Sequence, residues 1–331
     1  MLICNPNPCF SRTLRMPYFE RGAVMRAPSA EVRAGGKGID AARVGHSLKR
    51  RSPLLVLIGD LDGDQFCRFL VDEGIEFRVA SYHGNIRVAT MYQEVDSPTT
   101  TIVNEEGPTI SQEEWGAFLA ELEREIEPHE IVASMGSFPH GVNEGNIAKL
   151  VDVVHNKNSL IFFDTAPHFL AWALRHGADI VSPNLDEAEA LINGGSENLF
   201  SGDDSNGRAR AERAAQAICE LGAKVAIVHA GALGSALAYK EQTIWVPTVE
   251  VEVNSTVGAG DSLAAGFILQ TEQQGLMGNL DSIDWRLSLQ FGSATAAAAC
   301  EKGRSGEVEP IRVAELFNEI RRLESLKGSA L

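Results

Sequence analysis

NSTVGAGDSLAAGF, Asn254 to Phe267, is the stretch on which the reading of this chain turns. Gly258 and Gly260 flank Ala259, and Asp261 precedes a run of helix formers, Ser262 to Gln270. Small residues at that turn leave their amides uncovered at a helix N-terminus, where N–H groups lack an intrahelical acceptor and the helix dipole is positive. Such a turn suits a phosphate or a developing negative charge. A carboxylate beside a bound phosphate is out of place unless it takes a proton from an incoming hydroxyl. The combination describes phosphoryl transfer to an alcohol. On composition alone, the same letters also fit a tight strand-to-helix turn with an acidic first helical turn.

A second glycine-rich string lies near the start. AGGKGIDAARVGHSL, from Ala34, sets Gly35, Gly36 and Gly38 around Lys37 just before an Ala-rich helical run that begins near Asp40. Phosphate binding and a solvated loop charge are both open readings of Lys37 taken alone.

Composition bounds the rest. The 331 residues are long enough for one large α/β core with appendages, and the formal net charge of −16 argues against nucleic acid or an anionic membrane as partner. An anionic substrate therefore needs a local basic site. Cys4, Cys9, Cys67, Cys219 and Cys300 are scattered and odd in number, which suggests neither a disulfide framework nor zinc and fits a reducing cytoplasm. No run has the apolar length of a membrane span, and the opening MLICNPNPCF lacks the basic start of an export signal.

Apolar runs of strand length recur along the chain: Leu2 to Cys4, LLVLIG from Leu54, EIVASMG, SLIFFDTA, ADIVSPN and KVAIVHAG. Continuous apolar runs suit strands buried on both faces. Helical spacing intervenes from Asp64 to Gly74, from Gln112 to Ile126, at 144–156, 167–176 and 208–221, from Trp285 to Cys300 and from Pro310 to Leu326. Repeated strand–helix–strand units predict a mainly parallel sheet covered by helices on both sides. Residues 11–33 and the β-rich stretch from Arg78 to Val103 predict the strands of a small second sheet. Ligands of open parallel sheets bind beyond the carboxyl ends of the strands, so Gly136-Ser137, Asp164-Thr165, Pro183-Asn184 and Ala230-Gly231 should line one crevice with the Gly-Ala-Gly-Asp turn.

STVGAGDS resembles the second signature of the ribokinase-like carbohydrate kinases, in particular their phosphofructokinase B branch, and GGKGID resembles the first, GGKGxNxA. GSFPHGV, from Gly136, is similar to the family's GSLPPGV, and SPNLDEAEAL, from Ser182, to its KPNxxEL. The resemblance runs in order along almost the whole chain. It implies a ribokinase-like three-layer α/β/α fold, with residues 1–10, 34–78 and 104–331 as the kinase core and 11–33 and 79–103 as β-rich lid insertions. It further implies Asp261 as catalytic base, the amides of Gly258, Ala259 and Gly260 as an anion hole, and Ser11, Gly36, Lys37, Asp40 and Arg87 as substrate contacts. Lys37 and Arg87 would grip a phosphate already on the sugar. Asn184, Glu187, Gly231, Gly234 and Thr256 would face ATP, with Glu187 organising Mg2+ through water. A homodimer through the lid is implied as well.

Several positions depart from the family pattern. Ser11 stands where an Asp binds sugar hydroxyls, Asp40 replaces an Asn, Ala89 replaces an Asn near Arg87, Ser182 replaces the Lys of KPN, and His229 stands where Ser is frequent. One carboxylate is lost and another gained around the expected sugar. The resulting expectation is an ATP- and Mg2+-dependent cytoplasmic kinase of a phosphorylated sugar, of fructose 1-phosphate or tagatose 6-phosphate type. Fructose 6-phosphate, an unphosphorylated sugar or a nucleoside are alternative acceptors, and a weakly active sugar-phosphate sensor is the alternative of another class. A dinucleotide-binding oxidoreductase ranks below these, because no G-x-G-x-x-G follows the first strand.

Overall fold

The computed structural model of the chain describes residues 1–95, 100–194, 206–275 and 279–328; residues 96–99 of the second expected insertion lie outside that set. Nine strands form one sheet. They are β1 (Leu2–Asn5), β4 (Leu54–Gly59), β5 (Phe77–Tyr82), β8 (Ile131–Met135), β9 (Leu160–Asp164), β10 (Ile180–Val181), β11 (Val225–His229), β12 (Gly234–Tyr239) and β13 (Gln242–Pro247). Their order across the sheet is β13-β12-β11-β10-β9-β8-β1-β4-β5. All neighbours run parallel except β11–β12 and β12–β13. A smaller sheet, ordered β3-β2-β6-β7, holds β2 (Cys9–Met16), β3 (Ser29–Gly35), β6 (Val88–Glu94) and β7 (Thr100–Asn104).

Alternation along the central strands explains the three layers. Ile3, Val56, Ala133 and Phe162 point into one core, which is completed by α1 (Lys37–Ser47), α2 (Gly63–Asp72), α8 (Ala259–Gln273), α9 (Trp285–Cys300) and α10 (Pro310–Gly328). Cys4, Leu55, Val132 and Phe163 point the other way. They meet α3 (Gln112–Glu125), α4 (Glu144–His155), α5 (Pro167–Arg175), α6 (Leu185–Ile192) and α7 (Gly207–Glu220). Successive residues of a strand face opposite sides, so a strand between two helical layers must be apolar at every position. Among the described residues no helix is long and apolar enough to cross a membrane.

The structure corrects the sequence reading at several edges. Phe77–Tyr82 does not join the small sheet: it pairs with β4 as the outer strand of the large one. Its alternating exposure, with Phe77, Val79, Ala80 and Tyr82 covered and Arg78 and Ser81 exposed, mimics a strand of a small sheet. The small sheet also takes in Cys9, Phe10 and residues 34–35, beyond the expected bounds. α1 begins at Lys37 instead of near Asp40, and α8 at Ala259 instead of Ser262, so both glycine-rich strings end as first helical turns. The antiparallel hairpin β12–β13 is not anticipated by the sequence reading.

α8 and α9 lie against each other through small residues. A Cβ on Gly292 would come 2.7 Å from the Leu263 carbonyl oxygen, whereas one on exposed Gly116 of α3 would meet nothing within 4 Å. Alanine normally gains up to about 1 kcal/mol over glycine inside a helix. Overpacking against backbone that cannot yield costs roughly 1–3 kcal/mol and outweighs that gain. G116A is therefore expected to stabilise the protein by about 0.5–1 kcal/mol and G292A to destabilise it, as read by urea unfolding.

Candidate active site

The site is built where four chain segments converge on the carboxyl end of the parallel strands. β9 ends at Asp164, whose Oδ1 accepts a 2.6 Å hydrogen bond from Lys37 Nζ at the start of α1. Asp261 lies in the first turn of α8 and Glu187 in the first turn of α6. Burial works against the Lys37 charge, but the carboxylates of Asp164, Asp261 and Glu187 outweigh it and hold Lys37 above its usual range. Asp261 moves the other way. Its burial, with Asp164, Asp40 and Glu187 adding to it against the opposing pull of Lys37, pushes its carboxyl up to about 8.

Local geometry follows from two glycines held at positive φ. Gly258 caps α8 at φ 81° and Gly36 precedes α1 at φ 137°, conformations that a side chain resists. A Cβ on Gly36 would also meet Asn5 Oδ1 at 2.5 Å, and that same oxygen accepts the Gly38 amide at 3.0 Å. The buried Asn5 side chain at the end of β1 thus fixes the turn that presents Lys37. Ala259 donates its amide to the Thr256 carbonyl at 3.2 Å. The Gly258, Gly260 and Asp261 amides find no acceptor among the described residues. The open donors therefore keep Gly258 and Gly260 of the expected trio, with Asp261 in place of Ala259.

The Asn254–Asp261 string also separates two cavities. Ser255 and Val257 face one of about 220 Å3, shared with Ser11, Gly36, Lys37 and Asp40 beneath the small sheet. Thr256, Ala259 and Gly260 face another of about 430 Å3, shared with Gly231 and the mainly apolar walls Val249, Val251 and Ala297. Three buried polar atoms at strand ends lack a hydrogen-bond partner among the described residues: Asn5 Nδ2, Thr165 Oγ1 and Ser182 Oγ. Unsatisfied buried polar groups cost free energy and need a reason. A polar ligand at the strand ends supplies one.

Most of the expected site residues are brought together, with exceptions. Ser11 and Asp40, the lost and gained acceptor positions, line the same cavity. Asp40 is also structural, because its Oδ1 accepts from Arg43 Nη1 at 2.7 Å and from Ser305 Oγ at 3.0 Å. Asn184 and Glu187 cap α6 reciprocally: Asn184 Oδ1 accepts from the Glu187 amide at 2.9 Å, and Glu187 Oε2 from the Asn184 amide at 3.0 Å. Gly234 starts β12, where an added Cβ would meet the Val246 carbonyl oxygen at 2.4 Å, and it does not line the second cavity. Arg87 departs from expectation. Its Nε and Nη2 donate to the Asn7 carbonyl at 3.2 and 3.0 Å, and it lines neither cavity. The Asn7 carbonyl, with the Glu105 carbonyl accepting from Nη1 at 3.5 Å, takes its fork where a substrate phosphate was anticipated. His229 abuts the Gly-Ala-Gly-Asp turn, its ring Cε1 3.1 Å from where a Cβ on Gly260 would sit, and burial keeps the imidazole below its usual value.

Residues 6–312 match the pfkB family carbohydrate kinases. The chain belongs to that family. It is a carbohydrate kinase with the ribokinase-like fold. It is 26% identical to 1-phosphofructokinase from Bacillus subtilis over 88% of this chain and 90% of that one. It is 25% identical to 1-phosphofructokinase from Escherichia coli K12 over 95% of both. Among solved structures, phosphofructokinase-2 from Escherichia coli superposes with a TM-score of 0.84 at 22% identity, covering 97% of this chain and 99% of that one. Ribokinase from Thermotoga maritima superposes at 0.70 and 18% identity, covering 96% and 99%. For this pfkB family member, the pairing of a basic cavity with an apolar one across the Gly-Ala-Gly-Asp turn is therefore set within a carbohydrate kinase.

The raised carboxyl of Asp261 has a stability consequence with a definite sign. A carboxyl whose folded pKa exceeds its unfolded value of about 3.9 contributes stability below that value and loses it as pH rises through the folded pKa. With the folded value near 8, the loss spans pH 4 to 8. D261N should match the wild type near pH 4 and gain in melting temperature over it as pH approaches 8, measured by calorimetry across that range.

Proposed function

We propose that the protein transfers the γ-phosphoryl group of ATP to a hydroxyl of a phosphorylated sugar, of fructose 1-phosphate or tagatose 6-phosphate type. The observation that carries this is the Asn254–Asp261 turn, whose Ser255 and Val257 line a basic cavity and whose Thr256, Ala259 and Gly260 line an apolar one, with acceptor-free amides at Gly258, Gly260 and Asp261. Asp261 takes the proton of the acceptor hydroxyl as that oxygen attacks the γ-phosphorus in line and the bond to the β,γ-bridging oxygen breaks. A carboxyl held near 8 accepts a proton far more readily than an exposed aspartate. The amides of Gly258, Gly260 and Asp261 meet the negative charge on the equatorial oxygens, and Lys37 offsets the carboxylates around them.

The second cavity suits a nucleotide base by its apolar walls, with Gly231 and Thr256 at its polar edge. Mg2+ fits the donor set in a particular way. Among the described residues no three His, Cys, Asp or Glu side chains cluster to hold a metal by themselves. An ion that takes most of its ligands from phosphate and water needs no more than one or two protein carboxylates. Glu187, with one oxygen left outside the helix cap, would hold it through water. Bound there, it would screen charge on the phosphates.

The relatives named 1-phosphofructokinase support a phosphorylated acceptor, as does the basic lining of the first cavity. We also propose a cytoplasmic homodimer through the small sheet, on which Ile102 and Val103 are exposed. ATP turnover against fructose 1-phosphate, tagatose 6-phosphate, fructose 6-phosphate, fructose, ribose and a nucleoside tests the acceptor. Stimulation by one phosphorylated sugar supports the reading, and activity with a neutral acceptor alone refutes it. D261N should lower kcat by about 10²–10⁴-fold, the range supplied by general-base catalysis, with the KM for ATP nearly unchanged. A rate close to wild type would remove Asp261 from that role.

A further inference from the structure

We infer that the anionic group of the acceptor is held by Arg33 and Arg304, in exchange for glutamates that occupy these arginines in the free protein; this rests on the phosphorylated-acceptor reading above. Five cationic side chains, Arg15, Arg33, Lys37, Arg43 and Arg304, line the first cavity against the carboxylates of Glu31 and Asp40. Glu73, Asp164 and Glu307, which do not line the cavity, pair with these cations from behind, so an anion binds there by displacing a carboxylate.

The partners of each cation decide which are available, and Arg15, paired with Glu31 at 3.6 Å, takes no share in the Glu307 oxygen on which Arg33 and Arg304 converge. Arg43 is committed: it is buried and donates at 2.6–3.0 Å to Glu73, to the Ala34 carbonyl and to Asp40. Lys37 is taken by Asp164. Arg87 lies outside the cavity on the Asn7 carbonyl. Arg33 and Arg304 pair with partly exposed glutamates. Arg33 reaches Glu73 and Glu307 at 3.3 Å each, and Arg304 reaches Glu31 at 2.8 Å and Glu307 at 3.8 Å with half of its side chain exposed. Both guanidinium groups approach the same oxygen, Glu307 Oε1. A carboxylate oxygen shared by two guanidinium groups shows where an oxygen of a phosphate would go, and the planar fork of arginine favours a bidentate phosphate over a single carboxylate oxygen.

Their position relates this point to the reacting end of the cavity. Arg33 pairs with Ser11 across the β2–β3 ladder, beside the position expected to touch sugar hydroxyls. Arg304 precedes Ser305, which donates to Asp40 and whose Cβ lies 2.7 Å from where a Cβ on Gly258 would sit. An acceptor anchored on Arg33 and Arg304 would span from the small sheet to the turn that carries Asp261. The exchange would also free Glu31 and Glu307, which now tie β3 to the loop after α9.

The test is steady-state kinetics on the whole protein with the phosphorylated sugar that the wild type uses best, together with R304Q, R33Q and E307Q. R304Q removes a half-exposed charge and should fold, which melting temperature checks. R304Q and R33Q are each expected to raise the KM for the sugar phosphate on the order of 10- to 100-fold, as befits loss of a charged hydrogen-bond donor, with the KM for ATP within about twofold. R304K, which keeps the charge without the fork, should recover part of the loss, and E307Q should lower the KM by emptying the site. An unchanged sugar-phosphate KM in R304Q, a fall in kcat without a rise in KM, or a higher KM in E307Q would overturn the assignment. A wild type that phosphorylates only neutral sugars overturns the acceptor reading itself and this inference with it, an outcome distinguishable because it appears before any variant is made.

Discussion

One ammonium group, Lys37 Nζ, allows the carboxylates of this site to stay close together. It bonds Asp164 directly and acts by charge on Asp261 and Glu187, side chains delivered by one strand and two helices. Without it, three acids would share a confined volume, and each would press the others toward protonation. With it, Asp261, buried in the first turn of α8, still keeps a carboxyl well above the ordinary range. The stability given up at this point is consistent with the base that we propose Asp261 to be.

The position of that ammonium is itself decided by backbone contacts. Asn5 at the end of β1 takes the amide of Gly38 and sits where a side chain on Gly36 would have to go. The start of α1 is thereby fixed against the sheet, and Lys37 with it. Gly258 does the equivalent for α8, turning the chain so that three amides face outward beside Asp261. Both turns lie beyond the carboxyl ends of parallel strands, where the helices that follow point their N-termini at a common point. The two cavities on either side differ because their walls come from different layers. One is roofed by the polar inner face of the small sheet, the other by small and β-branched residues of α9 and of the segment before the turn.

How far this was legible varies element by element. Strands such as LLVLIG and SLIFFDTA were readable because a strand between two helical layers cannot afford a polar position. β5 was misplaced since the outermost strand has one covered face and so alternates like a lid strand. β12, GSALAY, is buried along its whole length, yet its alanines, serine and glycine carry too weak a hydrophobic signal to stand out. Among site residues, the glycine-rich strings and Asp261 were legible because few residue types tolerate such turns. The direction of the Arg87 fork was not, since a guanidinium at a given position reaches several angstroms to either side and only the surrounding carbonyls settle where it goes.

By itself the sequence determined the layered α/β architecture, the order of strand and helix along most of the chain, the two turns that present backbone amides, and the family to which the chain belongs. These follow from local constraints: periodicity of burial, glycine at positive φ, and small residues where amides must stay open. The tertiary structure decided which charges meet. Lys37 and Asp164 are 127 residues apart, Ser305 and Asp40 are 265 apart, and Arg33 and Glu307 are 274 apart. Electrostatic interaction depends on distance in space and on the dielectric around each group, neither of which is written in the order of residues.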